Sequence, residues 1–183
     1  MTAPTRRADA QRNAKALLEA AAAEFVTSGV EAPVRDIAAR AGVGVGTVYR
    51  HFPSRADLIV AVYRHQVEEC AEAGPALLAA EASPYAALDR WIGLFVDFLV
   101  TKHGLAAVLR SDDSQFEALH TYFLDRLVPV LTGLFEAAVA SGEIRSDVEP
   151  FAFMYAVGNL CVGNDPRYDA RQLVGLLIAG LHR

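Results

Sequence analysis

The chain has 183 residues, 53% of them hydrophobic, two cysteines and a formal net charge of −5, enough for one large domain or two small ones around a substantial core. No run of about 18 apolar residues is free of charge, which argues against a transmembrane helix, and the polar N-terminus MTAPTRRADAQRNAK lacks the apolar h-region of a secretory signal. Cys70 and Cys161 lie far apart and suit reduced thiols in a cytoplasmic protein better than a disulfide framework. The charge is unevenly spread. Residues 1–65 hold nine Lys or Arg and six acids, a net +3, and residues 66–183 hold eight and sixteen, a net −8. A basic head on an acidic body suits a protein that presents one end to phosphate.

The first predicted element is a helix from about Asp9 to Ser28, with Leu18, Ala21, Ala22 and Phe25 on one face and Gly29 as its stop. Arg6, Arg7 and Arg12 lie at or before its start, either as a basic arm or as a solvated tail. Arg35 to Ala41 is a short helix with Ile37, Ala38 and Ala41 as its apolar face. Gly42 supplies the left-handed residue that ends it. Val45 to His51 is a second short helix, turning Val48 and Phe52 inward and leaving Gly46, Thr47, Tyr49, Arg50 and His51 outside. Pro53 stops it, and Ser54 is placed to cap a helix starting at Arg55. Two helices of about seven residues joined by a glycine turn form the helix-turn-helix pattern, whose second helix enters the DNA major groove. Spacing alone fits an ordinary three-helix packing corner equally well.

The helix from Arg55 is expected to run to Ala73, where Gly74-Pro75 ends it, followed by a connection to Ser83 with a helical turn or two. From Pro84 to about Lys102, Leu88, Trp91, Ile92, Phe95, Phe98 and Leu99 form a broad apolar stripe. His103-Gly104 should break that helix, with a further short one in LAAVLR. Ser111 to Ser114 reads as a turn before a helix from Gln115 to Ser141, kinked at Pro129. Asp147 is the expected cap of a helix from Val148 to Cys161, and Asp169 of one from Ala170 to Leu181. The expected fold is all-α with about nine helices: residues 1–65 form the three-helix head and residues 66–183 the body.

The string DIAARAGVGVGTVYRHFPSRADL resembles the signature of the TetR/AcrR family of bacterial transcriptional regulators. The body, in PYAALDRWIGLFVDFLVTKHGLAAVL, resembles the subset with an SbtR-like ligand domain. The resemblance implies a ligand-responsive regulator, most often a repressor, binding a palindromic operator as a homodimer. It casts Tyr49 and His51 as phosphate contacts, Arg55 as the basic residue on phosphate at the next helix, and Arg35 and Thr47 as further contacts. Gly46 and Val45 would bring the helix close to the groove, where Val45 can meet a thymine methyl. Arg50 is the candidate base reader, because arginine bidentate to guanine is the commonest specific contact; a phosphate clamp is its alternative role. Two departures from relatives stand out. Pro33 and Gly44 occupy positions where relatives often carry a hydroxyl residue, which removes side chains that could reach phosphate.

The resemblance also places an unknown small-molecule effector among the helices of Trp91, Phe95, Phe98, Phe116, Tyr122 and Phe123. Aromatic stripes at helical spacing equally describe plain core. It pairs the last two helices with their symmetry mates, making Phe151, Met154, Val157, Leu173, Leu177 and Leu181 the expected dimer interface. No cofactor, metal or membrane partner is expected: Asp89, Asp97, His103 and His120 show no metal-ligand spacing. No GxSxG, P-loop or dinucleotide fingerprint points to an enzyme. The rival reading is a helical small-molecule-binding protein or enzyme that does not bind DNA.

Overall fold

A computed structural model describes the backbone of residues 3–109, 113–162 and 168–183, and the side chains of residues 13–99, 117–162 and 168–183. Among the described residues there are eight helices and no strand. They are α1 (Ala3–Ser28), α2 (Val34–Arg40), α3 (Val45–His51), α4 (Arg55–Ala80), α5 (Pro84–Leu109), α6 (Asp113–Ala140), α7 (Pro150–Leu160) and α8 (Ala170–Ala179). The chain divides into two compact units: Met1–His65 with Gly104–Asp113, and Gln66–His103 with Ser114–Arg183. No helix among the described residues is long and apolar enough to cross a membrane.

In the first unit the core is built from Leu17, Ala21 and Phe25 of α1, Ile37 and Ala38 of α2, Val48 of α3, and Leu58, Ile59 and Val62 of α4. The buried stripe of α1 is turned slightly from the expected one. Leu17 and Ala20 are buried, whereas Leu18 and Ala22 are half-buried, because the run Ala20 to Ala23 gives the helix little contrast between faces. The helix also starts at Ala3, so Arg6, Arg7 and Arg12 lie on its backbone rather than on an irregular arm; their side chains are outside the described residues.

The turn between α2 and α3 closes as expected from Gly42. Its φ of 67° lets the Val43 amide donate to the Ala38 carbonyl at 3.0 Å and the Gly42 amide to Ala39 at 3.1 Å, which satisfies the last carbonyls of α2. Start signals are stronger at α4. The Ser54 hydroxyl accepts from the Asp57 amide at 3.1 Å while the Asp57 carboxylate accepts from the Ser54 amide at 3.0 Å, a reciprocal cap. Ser54→Ala should cost about 1 kcal/mol of stability, read as a lower denaturant midpoint at unchanged slope.

Three expected helix ends are corrected. Gly74-Pro75 does not stop α4, which runs on to Ala80 with Pro75 inside it. The usual clash between a proline ring and the preceding Cβ does not arise when that residue is glycine, and Leu77, Leu78, Ala79 and Ala80 are good helix formers. Likewise α5 passes through His103-Gly104 to Leu109, since one interior glycine costs only about 1 kcal/mol. The continuation of α5 absorbs the short helix expected in LAAVLR, leaving eight helices among the described residues where about nine were expected. At α7 the cap is Glu149, whose carboxylate accepts from the Ala152 amide at 2.7 Å. Asp147 is instead engaged by Arg145 at 2.5 Å and 2.6 Å. Asp169 does cap α8, accepting from the Gln172 amide at 3.1 Å.

The second unit packs α5 and α6 over the C-terminal half of α4, with α7 and α8 completing the core. Leu88, Trp91, Ile92, Phe95, Phe98 and Leu99 of α5 are buried, as are Leu119, Phe123, Leu127, Leu131, Leu134 and Phe135 of α6. The tail folds back: the Arg145 amide donates to the Leu181 carbonyl at 2.9 Å, and His182 lies 4.1 Å from the Tyr85 ring, centroid to centroid.

Candidate nucleic-acid interface and effector core

On α3, Val48 is buried at 1% exposure, and residues 100° apart around the axis put Gly46 and Arg50 on the side opposite it. Val45 and Tyr49 lie together on one side of them and are 40% and 50% exposed. Arg50 and His51 are exposed and Thr47 is half-buried. A Cβ added at Gly46 would meet nothing within 4 Å, so the face is open at its centre. Arg35, at the start of α2, is exposed, with Asp36 at 3.3 Å. One helix therefore presents Val45, Gly46, Tyr49 and Arg50 outward, a narrow strip with an apolar edge, a cation and no obstructing side chain.

Arg55 stands apart from that strip. Its Nε donates to the Val30 carbonyl at 2.8 Å and its guanidinium to the Ala32 carbonyl at 2.7 Å, with Glu31 at 3.7 Å. This half-buried guanidinium holds the α1–α2 loop. Arg40 ties α2 to α1 through Glu24 at 3.3 Å.

In the second unit the aromatic residues form a stack. Ring centroids of Trp91 and Phe95 lie 5.5 Å apart, Phe95 and Phe123 5.9 Å, and Phe98 and Phe123 5.8 Å. These are offset-stacking distances. The Trp91 indole donates to the Cys70 carbonyl of α4 at 2.8 Å, so the one polar atom of the buried ring is satisfied. Tyr122 is half-buried and points its hydroxyl at Glu68. The Phe116 side chain is outside the described residues. Burial pushes the Cys70 thiol up to about 12 and raises Cys161 as well, so neither is a ready nucleophile or metal ligand. Asp97 pairs with Arg171, and His120 lies against Phe123 at 6.0 Å; His103 is outside the described side chains.

Two family models match the chain. Residues 17–62 match the bacterial regulatory proteins of the tetR family, and residues 83–183 match the C-terminal domain of SbtR-like transcriptional regulators. The chain belongs to the TetR family of transcriptional regulators. Its structure is similar to that of a TetR regulator from Streptomyces coelicolor, 35% identical over 92% of this chain and 98% of that one, with a TM-score of 0.82. A TetR regulator from Mycobacterium vanbaalenii is 33% identical over 97% and 99%, with a TM-score of 0.77. The regulator FadR of Bacillus subtilis, solved in complex with stearoyl-CoA, shares the fold at 23% identity over 91% and 98%, with a TM-score of 0.59. Relatives and structural neighbours of this TetR-family chain are regulators rather than enzymes.

The residues expected at the dimer interface fall into three groups by burial within the protomer. Met154, Val157 and Leu181 are buried within the protomer at 3% exposure or less, filling its own core. Leu173 and Leu177 are half-buried. The exposed apolar residues are Phe151 at 42%, Tyr155 at 66%, Val162 at 65% and Leu176 at 65%. Tyr155 on α7, Val162 just beyond it and Leu176 on α8 are exposed apolar residues outside the expected interface set. Phe151 and Tyr155, four residues apart, share one face of α7, opposite Phe153, Met154 and Val157. Also missed was a polar cluster: Arg126 on α6 donates to Glu68 on α4 at 2.8 Å from Nε, beside the Tyr122 hydroxyl. Hydrogen bonds from Arg126, then Tyr122, hold the Glu68 carboxyl below the usual carboxylate range. No sequence motif announces a pair 58 residues apart.

Proposed function

We propose that the protein is a cytoplasmic, effector-responsive repressor that binds a palindromic DNA operator as a homodimer. The observation that carries this reading is the α3 strip: Val45, Gly46, Tyr49 and Arg50 face outward on a helix whose remaining side is anchored by Val48. Arg50 reads guanine, Tyr49 and His51 contact phosphate, Val45 meets a thymine methyl, and Thr47 and Arg35 add polar contacts at the edges. Arg55 serves this face from behind, by fixing the α1–α2 loop, rather than as a free phosphate clamp. The acidic body is repelled from DNA and favours approach by the head.

The effector binds among Trp91, Phe95, Phe98, Phe116, Tyr122 and Phe123 as an apolar or aromatic-bodied small molecule. The stearoyl-CoA bound by the Bacillus FadR supports an effector of this kind on the same fold. Binding to one arrangement in preference to another is the only way it can shift the equilibrium, and operator must weaken effector binding by the factor that effector weakens operator binding.

The dimer forms through the exposed rows of α7 and α8, Phe151, Tyr155 and Leu176 with Leu173 and Leu177 at their margins. A charge in this patch must be desolvated on pairing and finds no partner. Leu176→Asp is therefore expected to run as a monomer by light scattering at micromolar concentration, where the unaltered protein runs as a dimer. In a gel-shift assay with fragmented genomic DNA the unaltered protein retards discrete fragments and Leu176→Asp does not. A monomeric unaltered protein that still retards those fragments would refute the dimer reading.

A further inference from the structure

We infer that Glu68, Tyr122 and Arg126 form a releasable catch that holds α4 against α6 in the operator-binding arrangement, working about a fixed pivot at Gly74. The inference rests on the reading of the protein as a DNA-binding regulator.

The pivot follows from the backbone. A Cβ at Gly74 would lie 2.2 Å from Cγ1 of Val130 and 3.6 Å from the Trp91 indole nitrogen. Only glycine lets α4 come this close to α6. Pro75 removes the amide that would have bonded the Ala71 carbonyl, so α4 is also at its least braced here. Trp91 grips the Cys70 carbonyl one turn earlier at 2.8 Å. Six residues before Gly74, about 9 Å along the helix, stands Glu68. Its carboxylate takes a fork from Arg126, with Nε on Oε1 at 2.8 Å and the terminal nitrogen on Oε2 at 2.5 Å, and the Tyr122 hydroxyl donates to the same Oε1 as Nε.

The strength of this group suits a catch better than a brace. The side chains of Arg126 and Glu68 are 46% and 34% exposed, and solvent-exposed ion pairs typically contribute about 0–1 kcal/mol. Opening it would not unfold the unit. The pivot, by contrast, is apolar and tightly packed. The catch also adjoins the aromatic stack, because Phe123 follows Tyr122 directly and precedes Arg126 by one turn of α6. A displacement of Phe123 that carries α6 with it shifts both donors relative to Glu68. Glu68 is thus a positioning residue: α4 begins in the first unit at Arg55 and enters the second at Gln66, and Glu68 lies just past that boundary.

The test compares Glu68→Gln, Arg126→Gln and the double variant for affinity towards DNA selected by the unaltered protein, with thermal midpoints measured alongside. Each single variant is expected to bind about tenfold more weakly, within the usual range of coupling between sites. Their thermal midpoints should move little, and the double variant should bind no more weakly than either single, because both remove one interaction. Exchanging the charges, Glu68→Arg with Arg126→Glu, should restore affinity. Unchanged affinity in both singles, or additive losses that follow the thermal midpoints, would overturn the catch. If the unaltered protein selects no DNA, the regulator reading fails, and the catch is decided by amide hydrogen exchange. Faster exchange along residues 66–73 in Glu68→Gln supports it, and unchanged exchange overturns it.

Discussion

Arg50→Ala is expected to weaken binding to the selected operator by about 1–3 kcal/mol per half-site, and the proposed homodimer carries the residue twice. The combined effect is about 2–6 kcal/mol, or roughly 30-fold to 10⁴-fold in affinity. The size follows from geometry. Arg50 lies on the side of α3 opposite buried Val48, in line with Gly46, so its guanidinium extends away from the protein towards whatever the helix docks against. Cutting the side chain to Cβ removes both hydrogen bonds to guanine at once, and the base is left with unsatisfied acceptors. Two readouts separate the roles open to Arg50. If it reads a base, sequences selected by the variant no longer show a preference at one position of each half-site, while the salt dependence changes little. If it clamps phosphate, all DNA is weakened alike and the salt slope falls by roughly one unit for each phosphate no longer neutralised. A variant whose affinity and preference both match those of the unaltered protein would move base reading to Thr47 or Val45.

Trp91→Ala is expected to destabilise the second unit by about 3–5 kcal/mol. The ring is fully buried at 0% exposure, stacks on Phe95 at 5.5 Å and bonds the α4 backbone at Cys70. Alanine removes the packing, the stack and the hydrogen bond together. Trp91→Phe separates them, since it keeps a ring against Phe95 but leaves the Cys70 carbonyl without its side-chain donor, a change worth about 1–3 kcal/mol for a buried group. Trp91 is the single tryptophan, so the comparison is made by circular dichroism in urea rather than by emission. A destabilisation below about 1 kcal/mol for Trp91→Ala would mean that the aromatic stack does not organise this unit.

The parts of the fold that the sequence specifies locally were readable from it. The α2–α3 turn depends on Gly42, the end of α3 on Pro53, the start of α4 on Ser54 with Asp57, and the start of α8 on Asp169; each acts within four residues of itself. One misreading depends on a residue distant in the chain, the other on a competing neighbour two positions away. Gly74-Pro75 carries a strong local stop signal, yet the glycine is there so that α4 can lie against Val130. Asp147 looks like a cap until Arg145 takes its carboxylate. The same limit applies to the candidate site. The outward strip of α3 follows from helical spacing and one buried valine. The engagement of Arg55 by the Val30 and Ala32 carbonyls, and of Glu68 by Arg126, needs the tertiary fold. On α7, apolar residues occupy both faces, and spacing alone does not tell which face meets the protomer's own core. Met154 and Val157 turned inward, and Phe151 and Tyr155 outward.

Recognition of DNA through α3 by a symmetric dimer is tested by selecting bound sequences from a random double-stranded pool at moderate salt. Enrichment of one motif with two-fold symmetry is expected, its half-sites spaced so that two recognition helices about 34 Å apart, or a multiple of it, enter major grooves on one DNA face. A pool that emerges from successive rounds without an enriched motif, or with an asymmetric one, would contradict it.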